Sequence, residues 1–200
     1  PRIGLAQTMA LIAALAFAVS AAALLKSSRI AAGVSAVLAL SMALLPPSWD
    51  RYALTRGVFY RPNKYMEFGV KTLDLEGQPP REILYYKDGV SATISVHREG
   101  LGVDLRINGK PDASYGDMPT QSMLGHAPML VTPDAKRVAV IGLASGVTTG
   151  AVLLHNPEQV DVIDIEPAIV GAMHQFDDIN GKPLDSPKVN LILDDGRNHL

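Results

Sequence analysis

The chain has no cysteine among its 200 residues. That excludes disulfides, thiolate metal sites and cysteine nucleophiles together. It also lacks excess charge of either sign: 18 Lys and Arg face 20 Asp and Glu, a net of −2. Nucleic acid calls for a basic surface, so no nucleic-acid partner is expected. The 5 histidines are scattered, with no spacing that would pair two imidazoles on one helix face, so no metal is expected. Charge is missing altogether from two stretches, residues 3–25 and 30–49.

Those two stretches set the first expectation. Residues 3–25 are mostly Ala, Leu, Ile, Val and Phe, and crossing a hydrocarbon core takes about 20 such residues. Lys26-Ser27-Ser28-Arg29 is a short polar turn, and Ile30–Leu45 is a second, shorter apolar run closed by Pro46-Pro47 and Trp49. A tryptophan there suits a membrane interface. The pattern predicts two transmembrane helices over residues 1–49, with lipid as a partner. Two competing readings are a secretory signal peptide, which has one shorter apolar core, and a hairpin buried inside a soluble protein. The small residues suit packing against further helices. Arg51, Arg56, Arg61 and Lys64 follow the second run, against only Lys26 and Arg29 in the turn. By the positive-inside tendency the soluble part faces the cytoplasm, giving a multi-pass protein of the inner (cytoplasmic) membrane.

Beyond Asp50 the composition is that of a soluble protein. Residues 50–81 read as a linker with one or two short strands, ending in Gly77-Gln78-Pro79-Pro80. Residues 82–119 read as a small antiparallel β domain. Glu82–Tyr86 is followed by the turn Lys87-Asp88-Gly89, and Val90–Val96 alternates apolar and polar residues as a half-buried strand does. Val103, Leu105 and Ile107 alternate with Asp104 and Arg106, and Asn108-Gly109 is a hairpin turn of the kind needing positive φ at both residues. Thr120–Leu130 reads as a helix with Met123, Leu124, Ala127 and Leu130 on one side and His126 as a hydrogen-bonded packing residue.

Residues 120–200 carry the chemistry. Arg137–Ile141 looks like a strand buried on both faces, and it runs into Gly142-Leu143-Ala144-Ser145-Gly146 and a helical stretch, Val147–His155. Strand, small-residue loop and helix together bring backbone N–H groups to a ligand. Val160–Ile163 is a second strand ending in Asp164, about 20 residues after the loop, where an acid can accept both hydroxyls of a ribose. Val189–Leu193 is a third, ending in Asp194-Asp195-Gly196, and Asp195 can accept the adenine amino group. Each mark is weak alone. Jointly they describe the first half of a truncated Rossmann-like, methyltransferase-type parallel sheet that binds an adenosine cofactor of the S-adenosyl kind. NAD(P) fits less well, because Ala144 takes the middle Gly position of the dinucleotide loop.

The residues Leu105–Ser114, Leu124-Gly125-His126-Ala127-Pro128-Met129-Leu130, Ile141–Gly146, Ile163-Asp164-Ile165-Glu166 and Leu193-Asp194-Asp195-Gly196 resemble, in order and spacing, the spermidine synthase (polyamine aminopropyltransferase) family. They are most similar to its bacterial members fused behind membrane helices. The resemblance implies a small β domain ahead of an S-adenosyl-type α/β domain. It implies decarboxylated S-adenosylmethionine as co-substrate and no metal. The expected partners are a small-molecule amine such as putrescine and a second copy in a homodimer. Carried over by position, the cofactor contacts would be Gly142, Ser145, Gly146, Asp164, Ile165, Asp195 and Gly196, with Gln121 on the substrate side. The chain departs from the family in three places. Ser145 stands where the loop usually has Asp, Thr120-Gln121-Ser122 where it has Tyr-His-Glu, and Pro111 where it has Gln. The family's catalytic acid lies after the next strand, so it is expected beyond Leu200 and the chain reads as an inactive fragment. A methyltransferase on the same half-domain, or a membrane-bound nucleoside-binding module without catalysis, are the alternatives.

Overall fold

A computed structural model describes residues 4–45, 48–57, 59 and 81–199. The chain divides into two compact units, Pro1–Arg51 and Tyr52–Leu200.

The first unit is a helix pair, α1 (Leu5–Leu24) and α2 (Arg29–Leu44). Ser28 caps α2 by accepting a hydrogen bond from the Ala31 N–H. The two helices pack on each other, and only their alanines Ala10 and Ala32 are buried. Leu11, Ile12, Leu15, Val19, Val34 and Val37 face outward. α1 is long and apolar enough to cross a membrane, whereas α2, at 16 residues, is shorter.

The short helix α3 (Arg51–Leu54) lies at the start of the predicted linker with strands; residues 58 and 60–80 of that linker lie outside the described residues. Four strands follow in a meander: β1 (Arg81–Asp88), β2 (Thr93–Glu99), β3 (Gly102–Ile107) and β4 (Lys110–Ser114), all antiparallel. The Asn108-Gly109 turn forms as expected, with φ of 51° and 81°. The strand predicted from Val90 begins only at Thr93. Val90 sits exposed in the turn, and the Ser91 and Ala92 N–H groups donate to the Glu166 carboxylate instead of to a neighbouring strand.

β2 is not half-buried as its alternation suggests. Ile94, Ser95, Val96 and His97 are all buried. Ile94 and Val96 point into the apolar core with Val103 and Leu105. Residues 52–57 pack on the polar face: the Tyr52 ring lies 5.9 Å from that of His97, and Arg106 Nη1 donates to the Thr55 carbonyl at 3.1 Å. His97 Nε2 and the Ser95 hydroxyl share a hydrogen bond of 3.1 Å. A polar residue on this strand therefore marks a second buried layer and not solvent.

A short 3₁₀ turn leads into α4 (Met118–Val131). Its buried residues are Gln121, Gly125 and Met129. Met123, Leu124, Ala127 and Leu130, read together as one side of the helix, are all exposed. The cause is a close helix crossing: a Cβ on Gly125 would lie 2.6 Å from the Thr148 carbonyl oxygen, so α4 turns its smallest residue inward. His126 Nδ1 and His155 Nε2 share a hydrogen bond of 2.9 Å, the packing role expected of His126.

The parallel sheet is β5 (Arg137–Ile141), β6 (Gln159–Asp164) and β7 (Val189–Leu193), in that spatial order. Between its strands lie α5 (Val147–Leu153), then α6 (Ile169–Met173) and α7 (Asp177–Asn180). Right-handed crossovers in this order put α5 to α7 on one face. That face holds Val140, Val160 and Val162, all buried. β5 is an edge strand, and its alternate residues Arg137, Ala139 and Ile141 are exposed, not buried on both faces as its apolar run suggests. One core spans both sheets: Ile94, Val96 and Leu105 from the first join Val160, Val162, Met173 and Phe176 from the second. Each fully buried side chain of this kind stabilises the fold by about 1.5–3 kcal/mol. At the rim the Tyr115 hydroxyl donates to Asp178, and burial followed by that bond pushes its pKa up to about 12.

Asn108 does two things at once: it holds a left-handed φ, and its Oδ1 accepts from the Thr93 N–H at 2.9 Å. Asn108→Ala is expected to lose roughly 1–2 kcal/mol of stability. A urea midpoint equal to that of the parent would remove the turn from the account.

Candidate functional site

The carboxyl ends of β5, β6 and β7 gather the predicted residues along one edge. After Ile141 the chain turns through Gly142 (φ 93°), Ala144 (φ 45°) and Gly146 (φ 80°), three left-handed residues in five. The intervening side chains, Leu143 and Ser145, are buried at 2% and 1% exposure. The loop thus sends its side chains inward and leaves Gly142 exposed. Gly146 has no alternative: beyond its φ, a Cβ there would meet Met173 at 2.9 Å. Ala144 is in a conformation that costs an L-residue with a Cβ about 1–2 kcal/mol.

Asp164 ends β6 and faces this loop. Its Oδ2 accepts from the Leu143 N–H at 2.8 Å, and its Oδ1 accepts from the Glu166 N–H at 2.9 Å. Two backbone donors from two different loops therefore fix the plane of the carboxylate. Each oxygen has used one of two lone pairs, so both can still accept a hydroxyl. Ile165, next to it, is exposed.

Asp195 lies after β7, and Gly196 packs beside Ile141: a Cβ on Gly196 would be 3.0 Å from Ile141 Cγ2. The Asp195 carboxylate is held by Arg197, through the backbone N–H at 3.0 Å and the guanidinium at 2.5 Å. The Arg197 side-chain bond, then its backbone N–H, lower the Asp195 pKa to about 2. Arg197 is 87% exposed, so releasing Asp195 to another donor costs little. The neighbouring Asp194 is held below the ordinary carboxylate range, first by its bond to His199.

Two of the expected contact residues, Ser145 and Gln121, are buried and bonded to each other. The Ser145 hydroxyl donates to Gln121 Oε1, and both residues are buried. Gln121 Nε2 donates in turn to the Ser114 carbonyl at 3.3 Å, and Asn180 Nδ2 donates to the Ser145 carbonyl at 2.9 Å. Ser145 and Gln121 thus pin α4 to the loop. The residue to which sequence reasoning gives no role is Glu166, the last of the run Ile163-Asp164-Ile165-Glu166. It is buried at 4% exposure and receives four hydrogen bonds. The only signal for it was its place two residues after Asp164 and before Pro167.

Comparison with known proteins agrees with this geometry. Residues 118–200 match the Spermine/spermidine synthase domain. The polyamine aminopropyltransferase of Archaeoglobus fulgidus is 31% identical over 118 residues, covering 58% of this chain and 44% of that protein. The one from Pectobacterium atrosepticum is 35% identical over 122 residues, covering 59% and 42%. The chain therefore spans less than half the length of these curated relatives. Among solved structures, spermidine synthase from Thermotoga maritima superposes with a TM-score of 0.54 at 22% identity, covering 58% of this chain and 42% of that one. A spermidine synthase in complex with the transition-state analogue AdoDATO gives 0.56 at 20% identity, covering 66% and 54%. The chain has the spermidine synthase fold. Over about half its length it is a distant homologue of the spermidine synthase and polyamine aminopropyltransferase family.

The strain at Ala144 is directly testable. Ala144→Gly is expected to raise stability by roughly 0.5–1 kcal/mol, read as a higher urea midpoint. A lower midpoint would contradict the left-handed assignment.

Proposed function

We propose that the chain is the membrane-anchored, adenosyl-binding part of a spermidine synthase-like aminopropyltransferase. The co-substrate is decarboxylated S-adenosylmethionine and the acceptor a small amine such as putrescine. The observation that carries this reading is the Asp164 carboxylate, oriented by the Leu143 and Glu166 N–H groups with a lone pair free on each oxygen. Such a group suits the two hydroxyls of a ribose. Gly142 and Gly146 let the loop backbone lie against the nucleoside, Ile165 offers an apolar contact, and Asp195 with Gly196 lies at the adenine end. Homology over residues 118–200 supports the same assignment.

The reaction joins an amine nitrogen to the carbon beside a sulfonium, and the sulfur leaves as the thioether of methylthioadenosine. A primary ammonium has a pKa near 10, so a proton must be removed before its lone pair can attack. No residue of this chain is assigned that task; its part is to bind and orient the nucleoside. The inward turn of Ser145 onto Gln121 favours a second reading. With no carboxylate on the loop to attract a cationic acceptor, the same site serves an S-adenosylmethionine-dependent methyltransferase.

For the N-terminal unit we infer a hairpin in the inner membrane. α1 is long enough to span, α2 returns the chain, and Arg51 and Arg56 hold the soluble unit on the cytoplasmic side. Because the chain has no native cysteine, Ser27→Cys and Leu101→Cys report topology without background; Leu101 is 97% exposed. Labelling from outside intact cells is expected at position 27 only. Labelling at position 101 would overturn the orientation.

Calorimetry of the full chain in detergent tests the ligand. Methylthioadenosine and decarboxylated S-adenosylmethionine are expected to bind, and Asp164→Ala to weaken both by about 100-fold or more, through the loss of two charge-assisted bonds. Preference for S-adenosylmethionine over its decarboxylated form would favour methyl transfer. Absence of binding by every adenosyl ligand would end both readings, and unchanged affinity in Asp164→Ala would remove that residue from the site.

A further inference from the structure

The turn between β1 and β2 grips the loop between β6 and α6. Glu166 Oε2 accepts from the Ser91 N–H at 2.7 Å, the Ser91 hydroxyl at 3.0 Å and the Ala92 N–H at 3.2 Å. Oε1 accepts from the Ala168 N–H at 2.9 Å. Beside them the Tyr85 hydroxyl donates to the Ala168 carbonyl at 2.8 Å. Gly89 makes room for the grip, since a Cβ there would lie 2.2 Å from Glu166 Cδ and Oε1. Burial by itself pushes the Glu166 carboxyl up. The bonds from Ser91, Ala168 and Ala92 outweigh it and hold the group below its ordinary value, so it is ionised at neutral pH.

This carboxylate does not face the ligand edge, yet its own backbone does. The Glu166 N–H is one of the two donors that orient Asp164. A side chain fixed by four bonds fixes its backbone, and that backbone N–H sets the angle at which Asp164 meets the edge. The antiparallel sheet is thereby coupled to Asp164 through Glu166.

We propose that Glu166 is a positioning residue: clamped by the β1–β2 turn, it holds Asp164 in the geometry that accepts the ribose hydroxyls. This rests on the reading of Asp164 given above. The role differs from mere structural support in one respect. Its effect on affinity must pass through Asp164.

The test is a double-mutant cycle on the full chain in detergent, titrated with methylthioadenosine, with melting temperatures recorded alongside. Glu166→Gln is expected to weaken binding about tenfold, and Ser91→Ala, which deletes one of the four bonds, about threefold. In the Asp164→Ala background neither change is expected to weaken binding further by as much as about twofold. Should binding there be too weak to titrate, the cycle is run from the ligand side: the 2′-deoxy analogue should show a smaller penalty from Glu166→Gln than the ribonucleoside does. Should Glu166→Gln fail to fold, Ser91→Ala carries the same cycle. Losses that add to those of Asp164→Ala, or that are equal for both ligands, would overturn the positioning role and leave the ribose reading standing. Failure of the parent chain to bind any adenosyl ligand would overturn the reading of Asp164, and this inference with it.

Discussion

Two carboxylates separated by one residue organise the soluble unit. Asp164 reaches back to the loop after β5, and Glu166 reaches out to the turn between β1 and β2. A carboxylate taken out of water, wholly as in Glu166 or partly as in Asp164, is costly unless its oxygens are hydrogen-bonded, and here the bonds come mainly from backbone N–H groups. The same arrangement therefore satisfies the turn, the loop and the acids. Were either acid neutral and apolar, three segments distant in sequence would lose their common anchor.

Packing around that anchor explains the remaining choices. Ile94, Val96 and Leu105 of the antiparallel sheet share one core with Val160, Val162, Met173 and Phe176, so the two sheets cannot be separated without exposing both. On the other side of the first sheet Ser95 and His97 are buried, and residues 52–57 pack against His97 and Arg106. The far face of the parallel sheet is different: Ala139 and Ile141 of β5 remain exposed among the described residues.

Much of this was legible from residue order. Asn108-Gly109 dictates a turn with two left-handed residues, and that turn is found. The three short apolar runs with small or acidic ends become three parallel strands whose tips converge. What escaped was decided by contacts between distant segments. The inward side of α4 is set by how closely Gly125 meets α5, which outranks the apolar stripe of Met123, Leu124 and Leu130. Ser145 and Gln121, 24 residues apart, form a buried hydrogen bond that neither local pattern announces. Glu166 carries no role of its own in the sequence, because nothing local reveals that a turn 75 residues away donates to it.

The central claim is that the carboxyl edge of the parallel sheet, centred on Asp164, receives an adenosine. Amide hydrogen exchange of the full chain in detergent, with and without methylthioadenosine, addresses it most directly. The account predicts added protection confined to residues 142–146, 164–166 and 195–196, with the helix pair unchanged. Exchange that is identical with and without the nucleoside, or protection that appears only elsewhere, would contradict it.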